Sequence, residues 1–237
     1  MTSAFVFHWP SHWEDAWSPL LLQGFGTTLV MSVLILLLSI PMGTVLGLLR
    51  SEKIPVLSWL AAAYIEVLRS IPLILFLVLI HYGVMPKLTP EPNFFISALL
   101  AFALFETAYF AEIVRGGLRG IRGTEMDAAV SLGLTYTQRL LLIRLPLALS
   151  RSVPALLGQV ISLIKDTSLA SIVGVIELTR AGEIIYERTY HDFELLVVIG
   201  VIYFSLCACL SKLAESLESR EHQNSSEGQK LKPIFET

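Results

Sequence analysis

The sequence predicts an all-α integral membrane protein: five transmembrane helices with a cytoplasmic helical loop between the third and fourth. Three observations carry this. Of 237 residues, 54% are hydrophobic and only 16% charged, and the mean hydropathy is +0.67; soluble domains carry about 25% charged residues. The deficit falls in runs, and residues 16–49 contain no Asp, Glu, Lys or Arg, longer than the ~20 apolar residues a spanning helix needs. The alternating pattern of a membrane barrel is missing. Backbone groups in lipid must be satisfied inside the segment, so the runs are helices.

The first apolar segment covers roughly 22–49. It is too long for a signal-peptide core and no Lys or Arg precedes it, so it stays in the mature chain. Residues 1–21 before it form an extracytoplasmic or interfacial segment, with Trp9, Trp13 and Trp17 at helical spacing suited to an interfacial belt. The second segment, roughly 56–84, is interrupted by Glu66, Arg69 and Pro72. Glu66 and Arg69 are three apart and can pair. Ser70 is a capping residue and Pro72 is tolerated in a first turn, so the helix can break there and restart.

The third segment, roughly 93–114, carries Glu106, Tyr109 and Glu112 on one broad helical face. Glu112 is expected to pair with Arg115. The fourth, roughly 153–176, contains Lys165-Asp166-Thr167-Ser168, a second place where capping residues divide an apolar run. The fifth covers roughly 194–213, and with it the membrane body of residues 22–213 ends. Residues 214–237 form a polar tail without an apolar face, expected to be weakly ordered.

Positive charge orients the spans. Twelve Lys and Arg collect on one side, six of them around the 115–151 connection, against three on the other, where Arg180 and Arg188 are diluted by Glu177, Glu183, Glu187 and Asp192. The N-terminus is therefore expected outside, and the 115–151 loop and C-terminus in the cytoplasm. No basic cluster suits nucleic acid. No G-x-x-x-x-G-K-[ST] phosphate loop occurs, so the chain is not expected to hydrolyse ATP. Cys207 and Cys209 lack metal-ligand spacing, and His8, His12, His81, His191 and His222 are scattered where surface roles are expected.

The connection at about 120–150 holds "GTEMDAAVSLGLTYTQRLLLIRLP", too polar to cross a bilayer. Thr124 to Leu132 reads as a short helix, with Thr124 as N-cap and Asp127 three residues on. Ala128 and Ala129 keep one surface small, and Gly133 supplies a left-handed stop. "TYTQ", residues 135–138, is a capping-box signature opening a second helix. Pro146 and Pro154 limit how that helix joins the next span. The pair forms a docking knob.

Asp127-Ala128-Ala129, Gly133, Ile143 and Leu145-Pro146, in their spacing, resemble the EAA loop of permease subunits of bacterial ATP-binding-cassette importers. "AYFAEIVRGG" (108–117), "LIKDTSLASIVGVIEL" (163–178) and "YIEVLRSIPLILFL" (64–77) are similar to the polar amino acid uptake branch. The chain departs from the family at Asp127 for Glu, Glu125 for Gln, Arg122 for Pro, and Ser70-Ile71 for Gly-Thr. The resemblance implies a multi-pass permease of the bacterial inner membrane. It implies a separate ATPase subunit that carries ATP and Mg, so this chain binds no cofactor. It also implies a second permease subunit, identical or paralogous, and an extracytoplasmic amino-acid-binding protein.

Ionisable residues in a bilayer are costly and mark pathways. Glu66, Arg69, Glu106, Tyr109, Asp166, Thr167 and Ser168 are the candidate substrate-pathway residues, since an amino acid zwitterion needs acceptors for its ammonium and donors for its carboxylate. No metal site is expected. The rival reading is an ion-coupled secondary amino acid transporter, with the carboxylates as proton or sodium sites. A non-transporting anchor or assembly factor would have little reason to bear such charges. Within importers, methionine, peptide or oxyanion permeases are the nearest alternatives.

Overall fold

A computed structural model describes residues 18–52, 55–121, 123–189 and 192–230. Trp9, Trp13 and Trp17, with most of the 1–21 segment, lie outside them. The described residues are helical and contain no strand. In chain order the helices are α1 (Ser18–Ser51), α2 (Pro55–Ser70), α3 (Leu73–Leu88), α4 (Phe94–Arg119), α5 (Gly123–Ser131), α6 (Tyr136–Val173), α7 (Leu178–Thr189) and α8 (Asp192–Lys230). Among the described residues four helices are long and apolar enough to span a membrane, or five if α2 and α3 make one broken span.

α1 shows why a membrane is the solvent. Val30, Val33 and Leu37 are more than half exposed, while Met31, Ile35, Thr28 and Ser39 are fully buried and Ser32 is nearly so. Apolar side chains face outward and small polar ones inward, as helix packing in lipid favours. The Ser32 and Ser39 hydroxyls are satisfied on their own helix, donating to Thr28 O and Ile35 O at 2.8 and 2.7 Å.

The break expected in the second segment is present. α2 ends at Ser70 and α3 begins at Leu73, with Pro72 at φ −59° and ψ 132° as its N-cap. The proline's extended backbone makes the break, and Leu75 N and Phe76 N close the new turn on Pro72 O. Two further prolines reshape helices without stopping them. Leu79–Val84 and Leu140–Arg144 are π turns, ending two residues before Pro86 and Pro146. A proline ring clashes with the carbonyl four residues back, and one wider turn relieves this. The second helix of the loop therefore does not end before the fourth span. It is the start of α6, and the expected boundary near 153 moves back to Tyr136.

Three more expectations are corrected. No helix restarts at Lys165–Ser168: α-helix tightens at Thr167 into a 3-10 run that ends at Gly174 (φ 97°). The Thr167 hydroxyl donates to Ile164 O at 2.7 Å, back along its own helix, so it caps nothing downstream. His81 is not a surface residue; it is 4% exposed, against Tyr82 and Phe94 in the π turn of α3. The tail is helical to Lys230, because α8 simply continues past the apolar stretch.

The chain divides into two compact units. The first comprises residues 18–39, 70–106 and 162–207 of the described chain. Its core packs Leu21, Leu178, Ala181, Ile185, Leu195 and Ile199. Gly24 lets α1 approach α7 closely: a Cβ there would meet Ala181 Cβ at 2.7 Å and Glu177 O at 2.8 Å. The second comprises 40–69, 107–161 and 208–230. Val114, Leu118 and Ala148 pack its core, with Leu48, Ile121 and Leu149 against them.

Candidate functional site

The stretch expected to dock a motor folds by its own local chemistry. α5 opens at Gly123, one residue before the expected Thr124. Its end is as expected. Gly133 adopts φ 74°. Leu134 N donates to Ala129 O at 3.2 Å and Gly133 N to Val130 O at 2.9 Å, the paired bonds of a Schellman stop. Two residues later Thr135 caps α6: its hydroxyl accepts from Gln138 N, and Gln138 Oε1 accepts from Thr135 N at 2.9 Å. Both ends at this corner are closed by residues within five positions of each other, so the corner is stiff without help from the rest of the chain.

What it presents is apolar. Asp127, Ala128, Gly133 and Pro146 are exposed, Ile143 is half-buried, and Ala129 is buried against the chain. Around them Leu132 is 78% exposed, with Val130, Tyr136, Leu141 and Leu142 all more than half exposed. Met126, Tyr136, Arg139, Leu140 and Arg144 line a cup of about 250 Å³ beside it. Exposed apolar patches of this kind mark interaction surfaces.

In the same unit the structure gathers charges from three helices. Glu112 on α4 is the centre. Arg115 grips it with two donors, Nε to Oε2 at 2.8 Å and Nη2 to Oε1. Arg50 Nη1 reaches Oε2 at 3.1 Å from α1, and Arg69 Nη1 lies 3.6 Å from Oε1, from α2. Arg50 also holds Glu66 Oε1 through Nη2 at 2.6 Å. Arg69 lies over the Tyr109 ring, 5.5 Å from its centre. Glu112–Arg115 was expected from sequence; Arg50 and Arg69 as further partners were not. Removing Glu112 would leave the opposing arginines without their shared counter-ion, which destabilises the cluster.

Of the candidate pathway residues, Glu66, Arg69 and Tyr109 thus meet around Glu112. Glu106, Asp166, Thr167 and Ser168 belong to the other unit. There Glu106 and Thr167 are fully buried, and Asp166 and Ser168 half-buried.

That unit also contains a residue the sequence reading counted only as a loop charge. Glu177 is 0% exposed. It precedes α7 and caps it: Thr179 N and Arg180 N donate to its carboxylate at 2.9 and 2.8 Å, and Tyr203 OH donates at 3.0 Å from α8. Burial pushes its carboxyl above the ordinary range, and these hydrogen bonds only partly offset that. Arg180 turns outward to Glu183 at 2.8 Å, which holds its guanidinium above the usual range. A Glu followed by Leu-Thr-Arg at the head of an amphipathic stretch was the signal available for this cap.

Comparison with known proteins agrees with these features. Residues 39–223 match the family described as binding-protein-dependent transport system inner membrane component. The chain is 36% identical over 202 residues to the probable glutamine ABC transporter permease protein GlnP of Bacillus subtilis (strain 168), covering 84% of this chain and 92% of that one. It is 36% identical over 210 residues to the glutamate/aspartate import permease protein GltK of Escherichia coli O6:H1, covering 85% and 93%. Its fold superposes on the crystal structure of an amino acid ABC transporter with histidines at TM-score 0.80 and 32% identity, covering 86% of this chain and 94% of that one. An all-helical body of several spans, interrupted by a stiff exposed corner, is thus matched by a family over most of its length, and the chain belongs to the binding-protein-dependent transport system inner membrane components.

Proposed function

We propose that this chain is the permease subunit of an ATP-driven importer for polar amino acids, coupled to its ATPase through residues 124–146. As a member of its family it is a multi-pass inner-membrane component that works with a binding protein, and ATP hydrolysis belongs to a separate ABC subunit. The observation that carries the proposal is the corner at Ala129–Gln138: rigid by its own caps, apolar and unburied, it has the form of a lever that a partner grips. Asp127, Ala128, Ala129, Gly133, Ile143 and Pro146 form or brace the docking surface. Closure of two ATPases would push it as one piece and switch the bundle between inward- and outward-open forms.

On this reading the N-terminus lies outside, the loop and the tail from 214 onward lie in the cytoplasm, and residues 22–213 form the permease body. A second permease subunit completes the pathway, and ATP and Mg stay on the ATPase. Glu66, Glu106 and Asp166 offer acceptors for an ammonium group; Arg69, Tyr109 and Ser168 offer donors for a carboxylate, while the Thr167 hydroxyl, donating to Ile164 O, is left with acceptor capacity. The amino acid class rests on the relatives, named for glutamine and for glutamate and aspartate. The test is Asp127→Ala in the reconstituted complex with its binding protein. The variant inserts and assembles, and ATP-dependent uptake of radiolabelled amino acid falls at least about fivefold. Uptake equal to wild type removes the loop from the mechanism.

A further inference from the structure

Three consecutive residues at the end of α1, Arg50, Ser51 and Glu52, contact α2, α4 and α6. Arg144 lies in the π turn of α6, directly after the capped corner. Its Nη1 donates to Glu52 Oε1 at 2.6 Å and its Nη2 to Ser51 Oγ at 3.1 Å. The Glu52 side chain is only 11% exposed and that of Arg144 25%, so this pair is screened far less than a surface ion pair. One residue back, the Arg50 carbonyl accepts from Ser58 Oγ of α2 at 3.2 Å. The Arg50 side chain holds Glu66 of α2 and Glu112 of α4.

We infer that Arg144 is the positioning residue that couples the docking loop to the permease body, handing the loop's movement through Glu52 and Ser51 to the end of α1, and through Arg50 to the charge cluster at Glu112. The inference rests on the proposed function above. Its physical basis is the number and strength of the joints. A planar guanidinium held at two points fixes direction as well as distance, which a single apolar contact does not. Leu140, which shares the cup with Arg144, has no polar side-chain atom to offer α1. Arg144 is therefore where a push on the corner meets a directional contact. The π turn that places it there is itself the consequence of Pro146. Ser51 and Glu52 form the last turn of α1, where Glu52 N still bonds Leu48 O at 2.9 Å, so displacing them displaces the helix.

Contact alone does not prove transmission, so the experiment measures coupling. The complete complex, permease with ATPase and binding protein, is reconstituted in liposomes. Uptake and ATP hydrolysis are measured together for wild type, Arg144→Met, Glu52→Gln, Arg144→Lys, and the exchange of Arg144→Glu with Glu52→Arg. Amino acid transported per ATP hydrolysed falls at least about fivefold in Arg144→Met and Glu52→Gln, while hydrolysis stays within about twofold of wild type. The exchange restores most of the ratio. Arg144→Lys, which keeps charge but loses the two-point grip, gives an intermediate ratio and covers the case in which Arg144→Met does not assemble. An unchanged ratio in the assembled single variants overturns the inference. So does equal loss of uptake and hydrolysis that the exchange does not rescue, because that marks a merely structural pair. Failure of the wild-type complex to take up any polar amino acid with ATP would instead sink the proposed function.

Discussion

The connections before and after α6 are built on opposite principles. The first, around α5, is closed by its own caps and leaves Leu132 and Val130 in the open. The second, α7, buries Leu178, Ala181 and Ile185 and is tied down by Glu177, whose partners are its own first turn and Tyr203 on α8, and by Leu178 N, which donates to Thr28 Oγ1 of α1 at 3.2 Å. The one is closed mainly by bonds within itself; the other is held by bonds to its neighbours. A part that must move as a unit needs internal rigidity and few external ties, whereas a part that closes a bundle needs the reverse. Substitutions in the two should therefore separate stability from coupling.

The largest expected effect is at Glu177. Glu177→Ala strips the acceptor from two backbone N–H groups and takes one of two partners from the half-buried Tyr203 hydroxyl. Leaving buried donors unsatisfied costs about 1–3 kcal/mol for each group exposed to that fate, so a loss of roughly 3 kcal/mol is expected. Thermal unfolding of the purified permease in detergent measures it, as a lowered Tm. A Tm unchanged by Glu177→Ala would mean that α7 is not anchored, and the contrast between the two connections would fail.

The same carboxylate sharpens the contrast through pH. Burial raises its folded pKa above the unfolded value. The folded state then binds the proton more tightly, so the stabilisation from this group is full below the unfolded value of about 4.3 and is lost as pH rises through the raised folded value. Glu177→Gln cannot titrate. The stability of wild type minus that of Glu177→Gln should decline as pH rises from about 4, and then level off. A difference that is flat across this window, or that grows with pH, contradicts a carboxyl whose charge burial penalises.

Gly133→Val comes next. At φ 74° a β-branched side chain is strained by about 1–3 kcal/mol. Nothing lies within 4 Å of the added Cβ, so the penalty is conformational and not steric. The Schellman stop loosens, the corner loses its fixed angle, and uptake falls further than Tm does. Comparing Tm with uptake for Gly133→Val and Glu177→Ala gives opposite orders of severity if the two connections differ as described.

The distribution of what was legible follows from range. Gly133 as a stop, Thr135 with Gln138 as a cap, and the break at Pro72 are decided within five residues, and each was readable. So was Glu112 with Arg115, three apart. Arg50 with Glu112 is 62 positions apart and Arg144 with Glu52 is 92, and no local pattern encodes such pairs. Glu177 looked like an outer-loop charge because its buried surroundings come from α1 and α8. At Lys165–Ser168 the residues did favour a cap, but a threonine hydroxyl can equally bond backward to the carbonyl three residues before it, and here it does. Composition identified an integral membrane chain with several spanning helices; it could not show that α6 absorbs Pro146 in a π turn and runs on.

The smallest effect on the isolated chain is expected at Leu132, and this is where the comparison is most exacting. Its side chain is 78% exposed, so Leu132→Ser removes almost no packing and Tm should shift by less than about 0.5 kcal/mol equivalent. If the corner is gripped by an ATPase, however, that leucine is buried in the complex, where full burial of a leucine is worth about 1.5–3 kcal/mol. The same substitution should then weaken ATPase binding by roughly ten- to a hundredfold, since each 1.4 kcal/mol is a factor of ten. Titration of the purified ATPase against the permease in nanodiscs reads this directly. A residue that is neutral for folding and costly for assembly belongs to a docking surface. Neutrality in both would leave Leu132 as lipid-facing or idle, and would shift the gripping surface to Tyr136, Leu141 and Leu142 on the far side of the cap.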